Sequence, residues 1–291
     1  MNILTFDIEE WFHIDFRRRP QIEKHWEQFE SRIHLNMDRI FRFLDNTDYK
    51  ATFFCVGWLA RKYPDVIKRI DSYGHEIGSH SDLHLLDTSL SFDEYKTSFK
   101  RAIDSLEDIT GKKVRAYRAP AFSITSQNKW AFEIMIENGI EFDSSIFPAR
   151  KRNGGFHEIQ STKPFLLECE GGYIKEFPLN PYSLLGKKVV FSGGGYFRFF
   201  PYQAIQKMAK DTSYMMSYFH PRDFDPDQPI IRDLPLQQKF RSYYGLKSCG
   251  KKFEQFLKDF DFIDLDEADK LTDWDAVEKY VISSNSINLY K

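Results

Sequence analysis

Short apolar segments alternate with helical patterns along the first half of the chain, and this alternation limits the possible folds more than any other feature. Strands are predicted at residues 2–9, 51–56, 75–80, 114–117 and 140–143. Between the first two, apolar residues recur at helical spacing, as at Ile33, Met37 and Ile40. Strands separated by helices pair in parallel, with the helices covering the sheet. The pattern therefore predicts an α/β fold built from parallel βα units.

Two helix ends can be placed from single residues. Gly111 is expected to end the helix that begins near Phe92, because glycine accepts the left-handed backbone that often closes a helix. Ser126 is expected to cap a helix that runs to Glu137, because a serine hydroxyl satisfies a free N–H group at a helix start.

After residue 143 the pattern is less regular. Strands are predicted at residues 174–178, 214–219 and 262–265, and an amphipathic helix around Phe253 and Phe256. The run Gly193–Gly195 lacks the GxxxxGK[ST] pattern of a phosphate-binding loop. It predicts either a flexible rim of a substrate pocket or a plain hairpin loop. Without a repeat or a clear linker, we expect a single structural unit, with a C-terminal extension over residues 223–291 packed on a domain over residues 1–222.

Composition excludes several classes of protein. The 291 residues include 41 Lys and Arg against 43 Asp and Glu, a balance that argues against a nucleic-acid partner. Three distant cysteines without a C-x-x-C pair argue against a disulfide framework. The chain shows no secretory signal pattern and no apolar run of about 18 residues, so we expect a cytoplasmic location without stable membrane insertion. The oligomeric state is left open.

Polar side chains follow several of the predicted strands. Asp7 and Glu9 end the first strand and point to the same side, because side chains alternate along a strand. His80 and His84 follow the third strand at a spacing that lets two imidazoles share one metal ion. Arg118 follows the fourth strand. The alternatives are solvated acids at a sheet edge, unrelated histidines and a structural arginine.

A second set of residues supports the first. Ser81 is expected to hydrogen-bond locally and hold the turn between the two histidines. His220 follows the predicted strand at residues 214–219. In α/β barrels the chemistry collects at the carboxyl ends of the strands. We therefore expect these polar side chains to meet at one end of the molecule.

The polar residues occur in four motifs that resemble those of the polysaccharide deacetylase family, also called the NodB-homology or carbohydrate esterase family 4 group. The resemblance rests on Asp7-Ile8-Glu9, His80-Ser81-Asp82-Leu83-His84, Arg118-Ala119-Pro120-Ala121-Phe122 and Phe219-His220. It covers the chain from Thr5 to His220 and is closest to a subgroup associated with exopolysaccharide and surface-glycan gene clusters. It implies a distorted (β/α)7-type barrel for residues 1–222.

The resemblance also implies roles for single residues. Asp7 is expected to be the general base, Arg118 the residue that orients it, and His220 the general acid. One divalent metal ion is implied, zinc first, with cobalt, nickel or iron as alternatives, and its ligands would be Glu9, His80 and His84. The substrate contacts that we assign are Pro120, Phe122, Asp143, Tyr196 and Arg198. The family's usual fourth motif, an Asp-Trp element, is not evident, and Asp143 in Asp-Ser-Ser is the nearest candidate to replace it.

The function implied is removal of N-acetyl groups from an amino-sugar-containing polysaccharide, or from its nucleotide- or lipid-linked precursor. The alternatives are an N-deformylase, an allantoinase-like amidase and a non-catalytic glycan-binding relative. Basic clusters at residues 17–19, 150–152 and 187–188 are expected to be solvated, unless one of them binds the phosphates of a phosphorylated substrate. His13 is expected to lie at the surface, and the alternative is that it lines the site.

Overall fold

The computed structural model describes residues 1–15, 21–149, 154–283 and 287–290. The strands in chain order are β1 (Asn2–Ile3), β2 (Thr5–Ile8), β3 (Thr52–Cys55), β4 (Glu76–Ser79), β5 (Ala116–Tyr117), β6 (Phe142–Asp143), β7 (Phe165–Cys169), β8 (Gly172–Glu176), β9 (Tyr182–Leu184), β10 (Lys187–Val189), β11 (Met215–Met216), β12 (Lys279–Ile282) and β13 (Ile287–Tyr290).

The helices in chain order are α1 (Ile22–Trp26), α2 (Ile33–Leu44), α3 (Gly57–Lys62), α4 (Pro64–Ser72), α5 (Phe92–Thr110), α6 (Ala131–Glu137), α7 (Gly194–Phe199), α8 (Tyr202–Lys210), α9 (Leu236–Tyr243), α10 (Leu246–Asp259) and α11 (Leu265–Leu271). Short 3₁₀ turns occupy Trp11–Ile14, Asp87–Ser89, Pro120–Phe122 and Pro221–Phe224. Among the described residues, no helix is both long and apolar enough to cross a bilayer.

The main sheet has the strand order β13-β12-β7-β8-β6-β5-β4-β3-β2 in the described part of the chain. From β2 to β6, and from β6 to β8, every pair of neighbours is parallel. Beyond β2, a parallel bridge joins Phe6 to Phe219, which follows β11. Strand β1 also pairs in parallel with β11. The predicted α/β fold with mainly parallel strands is confirmed, and it brings the carboxyl ends of β2, β4 and β5 to one end of the molecule.

The helices cover this sheet with the faces that their sequence pattern predicts. In α2, buried apolar side chains recur every three or four residues, as at Ile33, Met37 and Ile40. In α5, the Ser91 hydroxyl accepts a hydrogen bond from the Glu94 N–H group, and the helix ends at Gly111 with φ 67°. The predicted end at Gly111 is therefore confirmed, and only glycine takes this conformation without strain.

Two local predictions are wrong. Helix α6 begins at Ala131 rather than after Ser126, whose hydroxyl donates to Glu158. Gly193–Gly195 does not form a hairpin loop, because it starts α7, and Gly195 lines a cavity. A Cβ on Gly193 would lie 2.0 Å from the carbonyl oxygen of Tyr218, so the glycine permits a close contact between two backbone segments.

Residues after 222 take part in both the sheet and its core. Strand β12 pairs with β7, and Phe253 of α10 packs its ring 4.7 Å from that of Phe219. The predicted strand at residues 262–265 is reduced to one bridge between Ile263 and Ile3, because Leu265 already begins α11. The division at residue 222 stays a prediction.

Candidate active site

Polar side chains from four separated segments meet at the carboxyl end of the parallel sheet. Asp7 lies in β2 and Glu9 follows it, while His80 follows β4 and Arg118 follows β5. His220 follows the segment that bridges to β2. Parallel strands end at the same edge of a sheet, so residues far apart in sequence become neighbours here.

Glu9, His80 and His84 form the core of the site. The donor atoms of these three buried side chains all lie within 4.8 Å of one another. Nε2 of His84 is 2.5 Å from a carboxylate oxygen of Glu9. The structure therefore brings together the three predicted metal ligands.

Backbone carbonyls fix which nitrogen of each imidazole faces the centre. Nδ1 of His80 is 2.7 Å from the carbonyl oxygen of Arg118, and Nδ1 of His84 is 3.0 Å from that of His13. A carbonyl oxygen only accepts hydrogen bonds, so both Nδ1 atoms carry a proton, and in the neutral form of each ring Nε2 is the nitrogen that presents a lone pair. The turn between the histidines is held by the Ser81 hydroxyl, which accepts from the N–H group of His84, as predicted.

This donor set fits a divalent cation. A lone pair on His84 Nε2 directed at an ionised carboxylate is repulsive unless a positive charge lies between the two atoms. Two neutral imidazoles with outer hydrogen bonds and one carboxylate are a common ligand set for zinc. Burial lowers the pKa of His80 to about 4, which keeps that imidazole in the neutral form that binds metals.

Asp7 lies beside this group and is held by Arg118. Nη1 of Arg118 donates to Oδ1 of Asp7 at 2.8 Å and to the Thr5 hydroxyl at 2.6 Å. Nη2 donates to the Ser144 hydroxyl at 2.9 Å, and the guanidinium lies 4.3 Å from the centre of the Phe54 ring. Burial by itself would raise the pKa of Asp7, but the charge and hydrogen bond of Arg118, together with the charges of the nearby histidines, outweigh it and the pKa is lowered. Asp7 is therefore ionised.

His220 faces Asp7 from the other side. Its Nε2 is 3.7 Å from Oδ2 of Asp7, and its Nδ1 is 2.9 Å from Oδ2 of Asp223. Burial lowers the pKa of His220, but the charge and hydrogen bond of Asp223 more than compensate and raise it to about 9. The imidazole is therefore protonated at neutral pH, with Nε2 directed toward the base.

Asp223 was not predicted from the sequence. It follows His220 by three residues, and its carboxylate also accepts the backbone N–H of His220 at 2.9 Å. This arrangement caps the short turn Pro221–Phe224, so a signal was present in the spacing of His220 and Asp223. Nε of Arg198 lies 3.1 Å from the other oxygen of Asp223 and neutralises part of its charge.

The structure contradicts the predicted substrate contact of Arg198. Its side chain is only 2% exposed, and its guanidinium donates to the carbonyl oxygens of Ser242 at 2.8 Å and Arg241 at 2.7 Å. All three guanidinium nitrogens are thus used inside the protein, since Nε lies near both Asp223 and the carbonyl oxygen of Gly194. Arg198 is a buried support for Asp223, not a group that faces a ligand.

The structure also contradicts a pocket-lining role for Asp143. This residue is fully buried and accepts hydrogen bonds from the hydroxyl and N–H groups of Ser145. Burial raises its pKa and that of its neighbour Glu176, so the two carboxyl groups share a proton. Asp143 therefore supports the strand ends from inside, and it is Asp223 that contacts His220.

The other predicted substrate contacts lie on the side of His220. Pro120 and Phe122 are buried in their short turn, and the Phe122 ring is 5.6 Å from that of Tyr218. Tyr196 is partly exposed and lines a cavity together with Tyr218. Tyr218, which was not predicted, places its ring 5.9 Å from the His220 ring.

The expectation of a surface position for His13 is wrong. The residue is buried, its ring packs 4.3 Å from Trp26, and its carbonyl holds His84. Burial lowers its pKa well below the usual range. The basic clusters at residues 17–19 and 150–152 lie outside the described residues, and Lys188 donates to the carbonyl of Pro148 at 3.0 Å.

Comparison with known families agrees with these motifs. Residues 21–141 match the polysaccharide deacetylase family, and residues 144–270 match a domain of unknown function, DUF3473. The match to the polysaccharide deacetylase family includes the motifs at residues 80–84 and 118–122. The resemblance drawn from the sequence motifs is therefore confirmed.

Curated relatives share a limited stretch with this chain. A peptidoglycan-N-acetylglucosamine deacetylase of Bacillus cereus is 35% identical over 91 residues, which are 31% of this chain and 33% of the relative. A peptidoglycan-N-acetylmuramic acid deacetylase of Bacillus subtilis is 32% identical over 77 residues, 26% of this chain and 29% of the relative. The matched stretch thus spans about a third of each relative's length.

The fold has a counterpart among solved structures. A polysaccharide deacetylase described as putative, from Mycobacterium smegmatis, superposes with a TM-score of 0.61 and 18% identity. The superposition covers 92% of this chain and 88% of that chain. This likeness confirms the predicted distorted barrel of the NodB-homology type.

Proposed function

We propose that the protein is a metal-dependent hydrolase that removes N-acetyl groups from an amino-sugar-containing polysaccharide or from its nucleotide- or lipid-linked precursor. The observation that carries the proposal is the position of Asp7. It lies between Arg118, which keeps it ionised, and His220, which is protonated, beside a donor set suited to a divalent cation. The names of the bacterial relatives support an amide bond on an acetylated sugar as the target.

The cation would be held by Glu9, His80 and His84. When bound, it supplies Lewis-acid chemistry next to Asp7. Zinc suits two imidazoles and one carboxylate best, while cobalt, nickel or iron are accepted by the same ligands. The hydrogen bonds from the two Nδ1–H groups to carbonyl oxygens keep both imidazoles in the orientation that this role requires.

Asp7 acts as the general base in this proposal. Its carboxylate accepts the proton of the attacking water, and Arg118 keeps it ionised and in one orientation. The guanidinium itself is fixed by Thr5 and Ser144, so the base has little freedom to turn away. Holding the base in the reactive geometry lowers the entropic part of the activation barrier.

His220 acts as the general acid. Cleavage of an amide requires a proton on the departing nitrogen, and His220 carries one at neutral pH because Asp223 raises its pKa to about 9. Its Nε2 points toward Asp7, so base and acid face the same space. Pro120, Phe122 and Tyr196 remain the proposed substrate contacts.

Metal analysis combined with product analysis tests this function. The purified protein is expected to carry one divalent metal ion per chain and to release acetate from acetylated amino sugars, in polymers or nucleotide-linked forms. Chelation should abolish release, and added zinc should restore it. Formate or a ring-opened amide as the product would indicate the deformylase or allantoinase-like alternatives. Binding of these glycans without any release would refute the enzymatic function.

A further inference from the structure

An aromatic cavity adjoins the candidate active site. It has a volume of about 540 Å³, within the range of roughly 300–1,000 Å³ that small-ligand sites occupy. Its aromatic walls come from α7, from α9 and its end, from the segment before His220 and from the segment after β6, and the rings are those of Tyr196, Phe199, Tyr218, Phe240, Tyr244 and Phe147. All of these residues lie outside the matched stretch at residues 21–141.

Four of these rings are unusually exposed for aromatic side chains. Tyr196 is 41% exposed, Phe199 49%, Phe240 52% and Tyr244 48%. Three of them contact one another, since the Phe240 ring lies 4.8 Å from that of Tyr244 and 6.3 Å from that of Phe199. A contiguous set of exposed rings is costly in water and is typical of a surface that binds something.

The cavity shares a wall with the catalytic residues. Tyr218 lines it, and the same ring stands perpendicular to that of His220 at 5.9 Å. A ligand that enters the cavity therefore comes next to the proposed proton donor. Because the reacting bond would lie on the other side of His220, near Asp7, a substrate must be longer than one sugar to fill both places.

The charged side chains of the cavity are both basic. Lys188 and Arg241 line it, and no acidic side chain does so among the described residues. Arg241 is exposed and forms no ion pair with another described residue. Aromatic faces pack well against the C–H faces of a pyranose ring, while a guanidinium pairs with a carboxylate.

We propose that this cavity binds the sugar unit next to the one that is deacetylated, and that this unit carries a carboxylate. The inference rests on the proposed function and adds the class of substrate, an oligomer or polymer with an acidic sugar.

The walls are built to stay in place. A Cβ on Gly195 would lie 2.9 Å from the carbonyl oxygen of Arg241, so α7 and the end of α9 approach each other closely. Arg198 donates to the carbonyl oxygens of Arg241 and Ser242 and ties the two helices together. A cavity formed in advance loses less entropy when a ligand binds.

Length and charge of the substrate can be tested separately. The probes are a dimer and a tetramer of N-acetylglucosamine and a tetrasaccharide of alternating glucuronate and N-acetylglucosamine. Phe240→Ala is expected to raise KM about 10-fold for both tetrasaccharides and less than 2-fold for the dimer. Arg241→Gln is expected to raise KM about 10-fold for the acidic tetrasaccharide only. Tyr173→Ala removes a 62% exposed ring outside the cavity and should change none of these values.

The contrary outcomes are equally specific. Equal effects of Phe240→Ala on the dimer and the tetramers would overturn the cavity as a second sugar site. Equal effects of Arg241→Gln on neutral and acidic tetrasaccharides would overturn its preference for a carboxylate. Calorimetric titration of the tetrasaccharides into Asp7→Asn protein separates this inference from the proposed function. If binding depends on Phe240 but the unmodified protein releases no acetate, the cavity remains supported as a sugar site and the enzymatic function is refuted. If no binding is observed, the cavity is refuted as a sugar site.

Discussion

The two ends of β4 place histidines in contrasting surroundings. His75 precedes the strand and His80 follows it, both are buried, and burial lowers both pKa values to about 4. Nδ1 of His80 is bonded to a carbonyl, whereas neither ring nitrogen of His75 has a hydrogen-bond partner among the described residues. His75 instead packs its ring 4.9 Å from that of Phe53. The histidine at the carboxyl end thus has its ring oriented toward the candidate site, whereas the histidine at the amino end packs against aromatic rings.

The carboxylates at the two ends differ in the same way. Glu76, at the amino end, has its pKa raised to about 7, because burial raises it more than the hydrogen bond from the Thr52 hydroxyl and the charge of Arg115 lower it. Asp7, at the carboxyl end, has its pKa lowered by Arg118. Burial alone does not produce a reactive carboxylate, and a fixed counter-charge decides which acid is ionised. Changes at the carboxyl end should therefore affect activity, and changes at the amino end stability.

The largest effect is expected from Asp7→Asn. The amide cannot accept the proton of water, so kcat should fall by about 10³-fold, within the 10²–10⁴ that general acid–base catalysis supplies. Metal content should stay at the level of the unmodified protein, because Asp7 is not among the proposed ligands. Glu76→Gln is the matched control at the other end and should keep normal kcat. Acetate release and metal analysis of both variants provide the test, and unaltered turnover in Asp7→Asn would exclude it as the base.

Replacement of His80 should weaken metal binding. His80→Ala removes a proposed ligand and should lower zinc affinity by more than the roughly 10–100-fold that loss of an outer hydrogen bond costs. His75→Phe is the control, because it keeps an aromatic ring against Phe53. Its zinc affinity should be unchanged. Competition titration with a chromogenic chelator measures both, and equal affinity in His80→Ala and His75→Phe would contradict the ligand assignment.

Asp223→Asn should have a smaller effect, seen best in its pH dependence. Asp223 raises the pKa of His220 to about 9, and the protonated form is the proposed acid, so activity should decline as pH rises through that value. Without the charge of Asp223 the decline should begin at lower pH, by one unit or more, with kcat at neutral pH about 10-fold lower. A pH profile of kcat gives the answer. If kcat fell at the same alkaline pH in the variant and in the unmodified protein, Asp223 would not act through His220.

The smallest effect is on stability, at the amino end of β4. The pKa of Glu76 is about 7 in the folded protein against an ordinary value of 4.5, so folding favours its protonated form. The stability that this form provides is complete below about pH 4.5 and is lost as pH rises through 7. At pH 8 the loss is up to about 3 kcal/mol, from about 1.4 kcal/mol per pKa unit. Glu76→Gln should remove this dependence and melt at a higher temperature than the unmodified protein at pH 8. Equal melting curves at pH 5 and pH 8 for both proteins would contradict it.

The predicted residues that meet at the site share one property. Asp7, Glu9, His80, Arg118 and His220 each end a strand or follow its end, and the alternation of strands and helices could be read directly from the sequence. Their convergence then follows from the geometry of parallel sheets. Their roles stay predictions, because a position shows what a group can reach and not what it does.

The residues that sequence analysis placed wrongly depend on distant contacts. Arg198 is buried by carbonyl groups more than forty residues away in the chain, at Arg241 and Ser242, and a single sequence does not show that pairing. The run Gly193–Gly195 has the composition of a loop, but here glycine is needed for contact with the backbone of Tyr218. His13 looked like a surface residue because the rings of Trp26 and Trp58 that cover it come from other elements.

The bonds of Arg198 have a consequence for how the chain can be shortened or rearranged. The proton donor His220 depends on Asp223, Asp223 is paired with Arg198, and Arg198 is anchored on carbonyls that come about twenty residues after the donor. A version of the chain that stopped before residue 241 would keep every proposed ligand, base and acid, yet would lose the anchor. Reactivity at the carboxyl end of the sheet is thus coupled to a part of the chain that never approaches the reacting bond.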